Sequence, residues 1–129
     1  MFLDSSAIID LLHDVDAVTA YVDTTAPLLT STVCVVEVLE GKLGAGTTDV
    51  VAARNDFGGV QSLDFTETMA LEAARLQDDL LSDGARLAGR DLMVAATARS
   101  TGDEFVVTDT DFQIDVLEDY MSVTNPRTD

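Results

Sequence analysis

Apolar residues follow two different spacings along this chain. Short, mostly apolar runs predict buried strands, and between them lie longer segments in which apolar residues recur every three or four positions, as on one face of a helix. The short runs predict strands over residues 1–3, 28–30, 60–65, 104–107 and 121–124. The longer segments predict helices over residues 5–13, 16–25, 32–43, 47–57, 66–82, 89–99 and 111–120.

This alternation of strands and helices favours an α/β domain with a mainly parallel central sheet and helices on both faces. We expect a single domain over residues 1–129, because no repeat or linker interrupts the pattern. In such sheets functional sites lie at the carboxyl ends of the strands. The tail from Asn125 to Asp129 is polar, and we expect it to be frayed.

The composition supports a folded domain and excludes several classes of protein. Hydrophobic residues make up 47% of the chain, whereas a disordered acidic chain would be poor in them. No apolar run approaches the ~18 residues of a membrane span, so we expect no membrane partner. The first residues lack the basic start of a signal peptide, which favours a cytoplasmic protein. With Cys34 and His13 as the only cysteine and histidine, a metal site would need oxygen ligands.

The charge balance is strongly acidic. Twenty-four Asp and Glu residues against seven Lys and Arg give a net charge of −17, and Lys42 is the only lysine. Such a charge repels nucleic acid at moderate salt, so the protein either avoids polyanions or works in concentrated salt. At 1 M salt the Debye length is only ~3 Å, which screens that repulsion. The excess of Asp over Glu favours a halophilic protein whose carboxylates are mostly solvated surface.

Five acidic residues at four places along the chain differ from this background in their surroundings. Asp4 closes the first predicted strand, and Asp109 and Asp111 follow the strand that ends at residue 107. Glu37 lies inside an apolar helical segment, and Asp91 begins another. Because parallel strands bring their carboxyl ends to one edge of a sheet, we expect Asp4 to lie near Asp109 and Asp111.

A carboxylate cluster of this kind suits Mg²⁺ or Mn²⁺, because hard cations prefer oxygen ligands. Such an ion lowers the pKa of a bound water and stabilises charge on a phosphoryl oxygen. Ordinary structural roles are also open, since Asp4, Asp109 and Asp111 could serve turns or caps and Asp91 could stabilise the first turn of a helix. Glu37 is the hardest to explain in that way, because its neighbours are apolar. Spacing alone leaves both interpretations open.

Four local sequences resemble the sequence blocks of PIN-domain nucleases, and they occur in the family's order. The resemblance covers almost the whole chain and is closest to the small VapC toxins of toxin–antitoxin pairs. The blocks are residues 3–9 (LDSSAII), 37–41 (EVLEG), 84–98 (GARLAGRDLMVAATA) and 106–112 (VVTDTDF).

The resemblance implies a three-layer PIN-like domain and a Mg²⁺- or Mn²⁺-dependent endoribonuclease that hydrolyses phosphodiester bonds in RNA. It also implies a cognate antitoxin, and exposed parts of the apolar helices offer a surface for a homodimer or for that antitoxin. Arg86 and Arg90 precede the third acid and are candidates for contact with the RNA backbone, although pairing with surface acids is at least as common for such residues. The metal-binding and catalytic acids carried over from the family are Asp4, Glu37, Asp91 and Asp109.

Two small polar residues and one further acid complete the site that the resemblance implies. Ser6 and Thr108 match family positions that would orient a ligand or a water molecule. The segment from Thr108 to Asp111 is one residue shorter than in many relatives, so Asp109 is the preferred fourth acid and Asp111 the alternative. Two other functions remain open: a PIN-like RNA-processing nuclease without an antitoxin, and a catalytically silent PIN-fold interaction module.

Overall fold

The computed structural model describes residues 1–128. Within them five strands form one sheet in the order β3-β2-β1-β4-β5, and each pair of neighbouring strands is parallel. The predicted α/β architecture with a parallel central sheet is therefore confirmed. The strands are β1 (Phe2–Leu3), β2 (Leu28–Ser31), β3 (Val60–Leu63), β4 (Phe105–Val106) and β5 (Val123–Thr124).

The helices begin where the sequence supplies a side chain that can cap a free backbone amide. Asp4, Ser31, Asp49 and Thr66 each accept a hydrogen bond from an amide in the first turn of the helix that follows. In the described residues 1–128, no helix is both long enough and apolar enough to cross a membrane. The helices are α1 (Ser5–Leu12), α2 (Asp16–Tyr21), α3 (Thr32–Glu40), α4 (Val50–Asn55), α5 (Glu67–Ser82) and α6 (Gly89–Thr101), with a 3-10 helix at Asp115–Asp119.

The core has two halves, one on each face of the sheet. Side chains of a strand alternate between faces, so Phe2 and Phe105 point to one side while Leu3 and Val106 point to the other. The two phenylalanines pack edge to face, with ring centroids 5.8 Å apart, in a cluster with apolar residues of α5 and α6. Leu3 and Val106 pack with residues of α1 and α2. The result is a three-layer domain.

Several predicted helices end at other residues than expected. The helix predicted over 16–25 ends at Tyr21, because the side chain of Asp23 accepts a hydrogen bond of 2.9 Å from the Thr25 amide and forms a turn. The helix predicted to end at residue 99 continues to Thr101 and ends at Gly102, which has a left-handed φ of 73°.

Three other helices are shorter or of a different kind. The helix predicted over 32–43 ends at Glu40, since the Lys42 amide turns back onto the Leu39 carbonyl at 2.9 Å. The helix predicted over 47–57 starts only after the Asp49 cap. The helix predicted over 111–120 is the short 3-10 helix, because Ile114 before it is extended.

The polar tail is ordered where the sequence predicted fraying. Asn125 is 7% exposed, and its side chain makes hydrogen bonds to two other residues. The prediction is wrong for Asn125 because polarity alone does not show whether a side chain has buried partners. Asp129, the last residue of the predicted tail, lies outside the described residues.

Candidate metal centre

Asp4 lies at the junction between β1 and α1, and it is 3% exposed. Its backbone amide continues the sheet by donating to the Val106 carbonyl at 2.9 Å. Its carboxylate caps α1 by accepting from the Ser6 amide at 3.2 Å. The Ser6 hydroxyl donates to the same carboxylate oxygen at 2.5 Å. Asp4 is thus both a helix cap and a buried acid at the carboxyl end of a central strand.

Ser6 links the first acid to the last acidic segment of the chain. Its hydroxyl oxygen accepts a hydrogen bond of 3.0 Å from the Thr108 amide, 102 residues further along. Thr108 follows β4, which pairs with β1, so the parallel pairing brings the two segments to one edge. The predicted orienting pair therefore meets directly, and it connects Asp4 to the segment that carries Asp109.

Glu37 projects from α3 towards the same edge. Its carboxylate accepts a hydrogen bond of 3.1 Å from the Ser5 hydroxyl and pairs with the Arg90 guanidinium at 3.5 Å. The Glu37 side chain is 19% exposed, whereas that of Arg90 is 59% exposed. An acid on an otherwise apolar helix is thus held by partners from α1 and α6.

Asp91 lies in the first turn of α6, where its negative charge interacts favourably with the helix dipole. Asp109 follows β4 and accepts a hydrogen bond of 3.1 Å on its side chain from the Asp111 amide. Asp91 and Asp109 are partly buried, while Asp111 is exposed. The Asp109 charge raises the pKa of Asp4 and the Asp111 charge raises the pKa of Asp91, so the choice of Asp109 over Asp111 stays a prediction.

Three acids of this edge, Asp4, Asp91 and Asp109, have raised pKa values. Burial raises the pKa of Asp4 to about 6; the Ser6 hydrogen bond opposes the rise, and the charges of Asp109 and Glu37 add to it. Burial is also the largest cause that raises the pKa of Asp91, followed by the charges of Asp111 and Glu37. Burial and the nearby acids likewise raise the pKa of Asp109. These carboxylates are close enough to repel one another.

The buried Cys34 side chain lies next to Asp4. The Sγ atom is fully buried and lies 3.9 Å from an Asp4 carboxylate oxygen. Burial and the Asp4 charge raise the pKa of the thiol to about 12, so it stays protonated and can act as a weak donor. The sequence interpretation of a buried packing thiol agrees with this position.

The donors fit a hard divalent cation in chemistry and in charge. Carboxylates from four separate segments share one edge of the sheet, and positive charge among them would relieve their repulsion. In the positions seen, no three Asp, Glu, His or Cys side chains of residues 1–128 are close enough to hold an ion. Asp4, Glu37, Asp91 and Asp109 would hold such an ion, which would supply positive charge between them. The role of each acid as a ligand stays a prediction.

Two contacts of this site were missed by sequence reasoning. Ser5 adjoins the predicted residue Ser6, and only the structure gives it a separate partner, Glu37. The Asn125 side chain donates to the Asp109 carbonyl at 3.2 Å, although it belongs to the tail that was predicted to fray. The one sequence signal for Asn125 is its place directly before Pro126, at the end of a predicted strand.

Comparisons with known proteins identify the family and the fold of the chain. A family model described as PIN domain matches residues 1–115 of the chain. No curated protein sequence gives a significant match. Among solved structures, the chain is similar to VapBC-5 of Mycobacterium tuberculosis, described as a member of the VapBC family of toxin–antitoxin systems. The identity is 28%, the TM-score is 0.68, and the similarity covers 96% of this chain and 94% of that chain.

Two further structures share the fold at lower identity. FitAcB from Neisseria gonorrhoeae is 23% identical with a TM-score of 0.73, covering 98% of this chain and 97% of that chain. DNA-bound VapBC from Salmonella typhimurium is 17% identical with a TM-score of 0.74, covering 97% of this chain and 96% of that chain. At these identities the similarity describes the fold alone.

Proposed function

Because the chain belongs to the PIN domain family, we propose that it is a Mg²⁺- or Mn²⁺-dependent endoribonuclease and the toxin of a VapBC-type pair. The observation that carries the proposal is the convergence of acids at the carboxyl edge of the sheet. Their burial and mutual charge raise the pKa of Asp4, Asp91 and Asp109. A site that concentrates negative charge in this way is suited to a divalent cation.

The chain's own groups would bind and orient the reactants. Asp4, Glu37, Asp91 and Asp109 would hold the ion. A bound Mg²⁺ or Mn²⁺ would supply positive charge to the scissile phosphate and acidify an attacking water. Ser6 would keep the Asp4 carboxylate fixed through its hydrogen bond of 2.5 Å.

Arg90 would contribute a second positive charge beside the acids. It is mostly exposed and lies 3.5 Å from Glu37, so its guanidinium can contact an incoming phosphate without leaving the site. Arg86 is exposed on the loop before α6 and is a weaker candidate for the same role. With a net charge of −17, RNA would approach best in concentrated salt, where the general repulsion is screened.

We propose a cognate antitoxin and a second copy of the chain as protein partners, in the cytoplasm. Structural neighbours of the chain are toxin–antitoxin proteins, which supports an antitoxin. Exposed apolar side chains on α3, on the loop after it and on α4 offer surface for protein contacts. They are Val36, Leu43, Val50 and Val51.

The test is an RNA-cleavage assay in molar KCl with Mn²⁺ or Mg²⁺. Asp4→Asn and Asp91→Asn should each lower the cleavage rate by about 1,000-fold, because each removes several kcal/mol of charge stabilisation. Asp78→Asn, the same change on the exposed face of α5, is the matched control and should cleave like the wild type.

Equal cleavage by all four proteins, or cleavage that persists in chelator, would contradict the metal-nuclease proposal. Expression of the wild type should be toxic, and co-expression of the neighbouring gene should relieve the toxicity if that gene encodes the antitoxin. Cleavage without toxicity would favour an RNA-processing enzyme. A folded protein that neither binds Mn²⁺ nor cleaves RNA would favour a silent interaction module.

A further inference from the structure

The last strand of the sheet ends directly beside the Asp109 segment. β5 pairs with β4, and the Val107 amide donates to the Thr124 carbonyl at 3.0 Å. In a parallel pair of strands, the next hydrogen bond from β5 to β4 would be donated by the amide of residue 126. Residue 126 is proline, which has no N–H to donate. The backbone ladder therefore stops two residues before Asp109.

The Asn125 side chain continues the connection that Pro126 interrupts. Its Nδ2 donates to the Asp109 carbonyl at 3.2 Å, and its Oδ1 accepts from the Arg127 amide at 3.0 Å. With 7% of its surface exposed, Asn125 is among the few buried polar residues of the chain. A buried amide side chain with a partner at each end has little freedom to move.

The segment after Asn125 is itself tied to the first helix. The Arg127 guanidinium donates to the Asp10 carboxylate of α1 at 3.3 Å. The Thr128 amide closes a turn by donating to the Asn125 carbonyl at 3.1 Å. Asn125 thus acts from an anchored segment rather than from a loose chain end.

Asp109 is consequently held from two directions. On one side, Ser6 joins Asp4 to the Thr108 amide. On the other side, Asn125 fixes the Asp109 carbonyl. The backbone orientation of Asp109 sets where its side chain points, because a short Asp side chain has only a few rotamers.

We propose that Asn125 is a positioning residue for the metal centre, acting through the Asp109 backbone. It lies outside residues 1–115, the part of the chain that the PIN domain model matches. The inference rests on the proposed function, since it assigns Asn125 a role in placing a metal-binding acid. Residues that orient ligands from outside the first layer commonly change metal affinity or activity by about 10- to 100-fold when removed.

The test compares two Asn125 variants with a control at the opposite edge of the sheet. Asn125→Ala removes the hydrogen bond to the Asp109 carbonyl and the one from the Arg127 amide. Asn125→Ser keeps a nearby acceptor for the Arg127 amide but is too short to reach Asp109. Arg54→Ala is the control, because Arg54 likewise ties two backbone carbonyls, those of Phe57 and Val60, at 2.8 and 2.7 Å.

Three properties are measured on the full-length protein in molar KCl. They are Mn²⁺ affinity by electron paramagnetic resonance, kcat and KM for RNA cleavage, and the backbone amide NMR shifts of residues 108–111 without metal. Both Asn125 variants should bind Mn²⁺ about tenfold more weakly and lose kcat about tenfold, with KM for RNA nearly unchanged. The amide shifts should move in both variants and stay in place in Arg54→Ala.

Each outcome decides between the inference and the function it rests on. Wild-type Mn²⁺ affinity and kcat in both Asn125 variants would overturn the positioning role. So would losses in Arg54→Ala as large as those in the Asn125 variants, because they would follow general stability. If the wild type neither binds Mn²⁺ nor cleaves RNA, the proposed function fails. The amide shifts then still show whether Asn125 orients the Asp109 segment.

Discussion

Two acidic regions of this molecule contain the same residue types in opposite environments. The acid edge, which consists of Asp4, Glu37, Asp91 and Asp109, lies at the carboxyl ends of the central strands. The second region is the solvent-exposed side of α5, here called the outer α5 face, which carries Asp78. At the acid edge Glu37 has hydroxyl and guanidinium partners from distant segments, whereas Asp4 and Asp109 accept hydrogen bonds from groups two residues away. On α5 the Glu72 carboxylate pairs only locally, with Arg75 at 2.5 Å.

The difference shows that burial and neighbouring charges, not residue type, set the pKa of an acid. At the acid edge, desolvation and repulsion between the acids disfavour the charged carboxylates, as the raised pKa values of Asp4, Asp91 and Asp109 indicate. Such an arrangement lowers the stability of the metal-free fold. On the outer α5 face the charges remain hydrated and affect stability only weakly. Three comparisons of substitutions test this contrast.

The largest effect on stability is expected from Asp4→Asn. The pKa of Asp4 is about 6 in the folded protein, whereas the ordinary pKa of an Asp side chain, expected in the unfolded chain, is 3.8. Between these two pH values the folded protein therefore binds more protons than the unfolded chain. The favourable contribution of protonated Asp4 is fully present below about pH 3.8 and is lost as pH rises through about 6. At about pH 8, in chelator, Asp4→Asn should therefore raise the free energy of unfolding by about 3 kcal/mol.

Urea unfolding in molar KCl at about pH 8 and about pH 4 measures this difference. The gain of Asp4→Asn over the wild type should be large at the higher pH and small at the lower one. Asp78→Asn, which makes the same change on the outer α5 face, should change the free energy of unfolding by under about 0.5 kcal/mol. An Asp4→Asn protein that is less stable than the wild type at about pH 8 would contradict the contrast.

A smaller effect is expected when a hydroxyl is removed from each region. Ser6→Ala leaves the Thr108 amide without its acceptor and removes the shortest hydrogen bond to Asp4, so it should cost about 2 kcal/mol. The pKa of Asp4 should rise further, because the Ser6 bond lowers it. Ser82→Ala on α5 removes only an exposed bond of 2.7 Å to the Asp79 carbonyl. It should cost under about 0.5 kcal/mol.

Denaturation curves and an NMR titration of the Asp4 carboxyl carbon test the Ser6 prediction. Equal losses of stability in Ser6→Ala and Ser82→Ala would show that the bridge between Asp4 and Thr108 adds nothing beyond an ordinary surface bond. An unchanged Asp4 pKa in Ser6→Ala would show that the hydroxyl does not support the charged carboxylate.

The smallest effect concerns salt and the outer α5 face. Neutralising Asp78 should raise the free energy of unfolding by a few tenths of a kcal/mol in dilute buffer. The gain should vanish in molar KCl, where the Debye length is ~3 Å. The gain from Asp4→Asn should remain there, because salt does not reverse the desolvation of a buried group. Thermal melts over a KCl series measure both, and a gain on α5 that survives molar KCl would break the comparison.

Much of the fold and part of the candidate site could be predicted from the sequence. The spacing of apolar residues predicts the alternation of strands and helices, and parallel strands imply that Asp4 and Asp109 reach the same edge. Helix caps such as Ser31 and Thr66 are local, so their effect can be predicted from a few residues. Helix ends such as Tyr21 were missed, because they depend on turns that compete with helix formation.

The sequence by itself determined which segments are apolar, where helices can begin and which acids follow strands, because these follow from nearest neighbours along the chain. Only the tertiary structure decided which of those acids would be buried together and what would hold them. The contacts of Ser6 with Thr108, of Arg90 with Glu37 and of Asn125 with Asp109 each join segments that are distant in sequence or on different elements. Such contacts depend on strand order and packing, and no local pattern of residues contains that information.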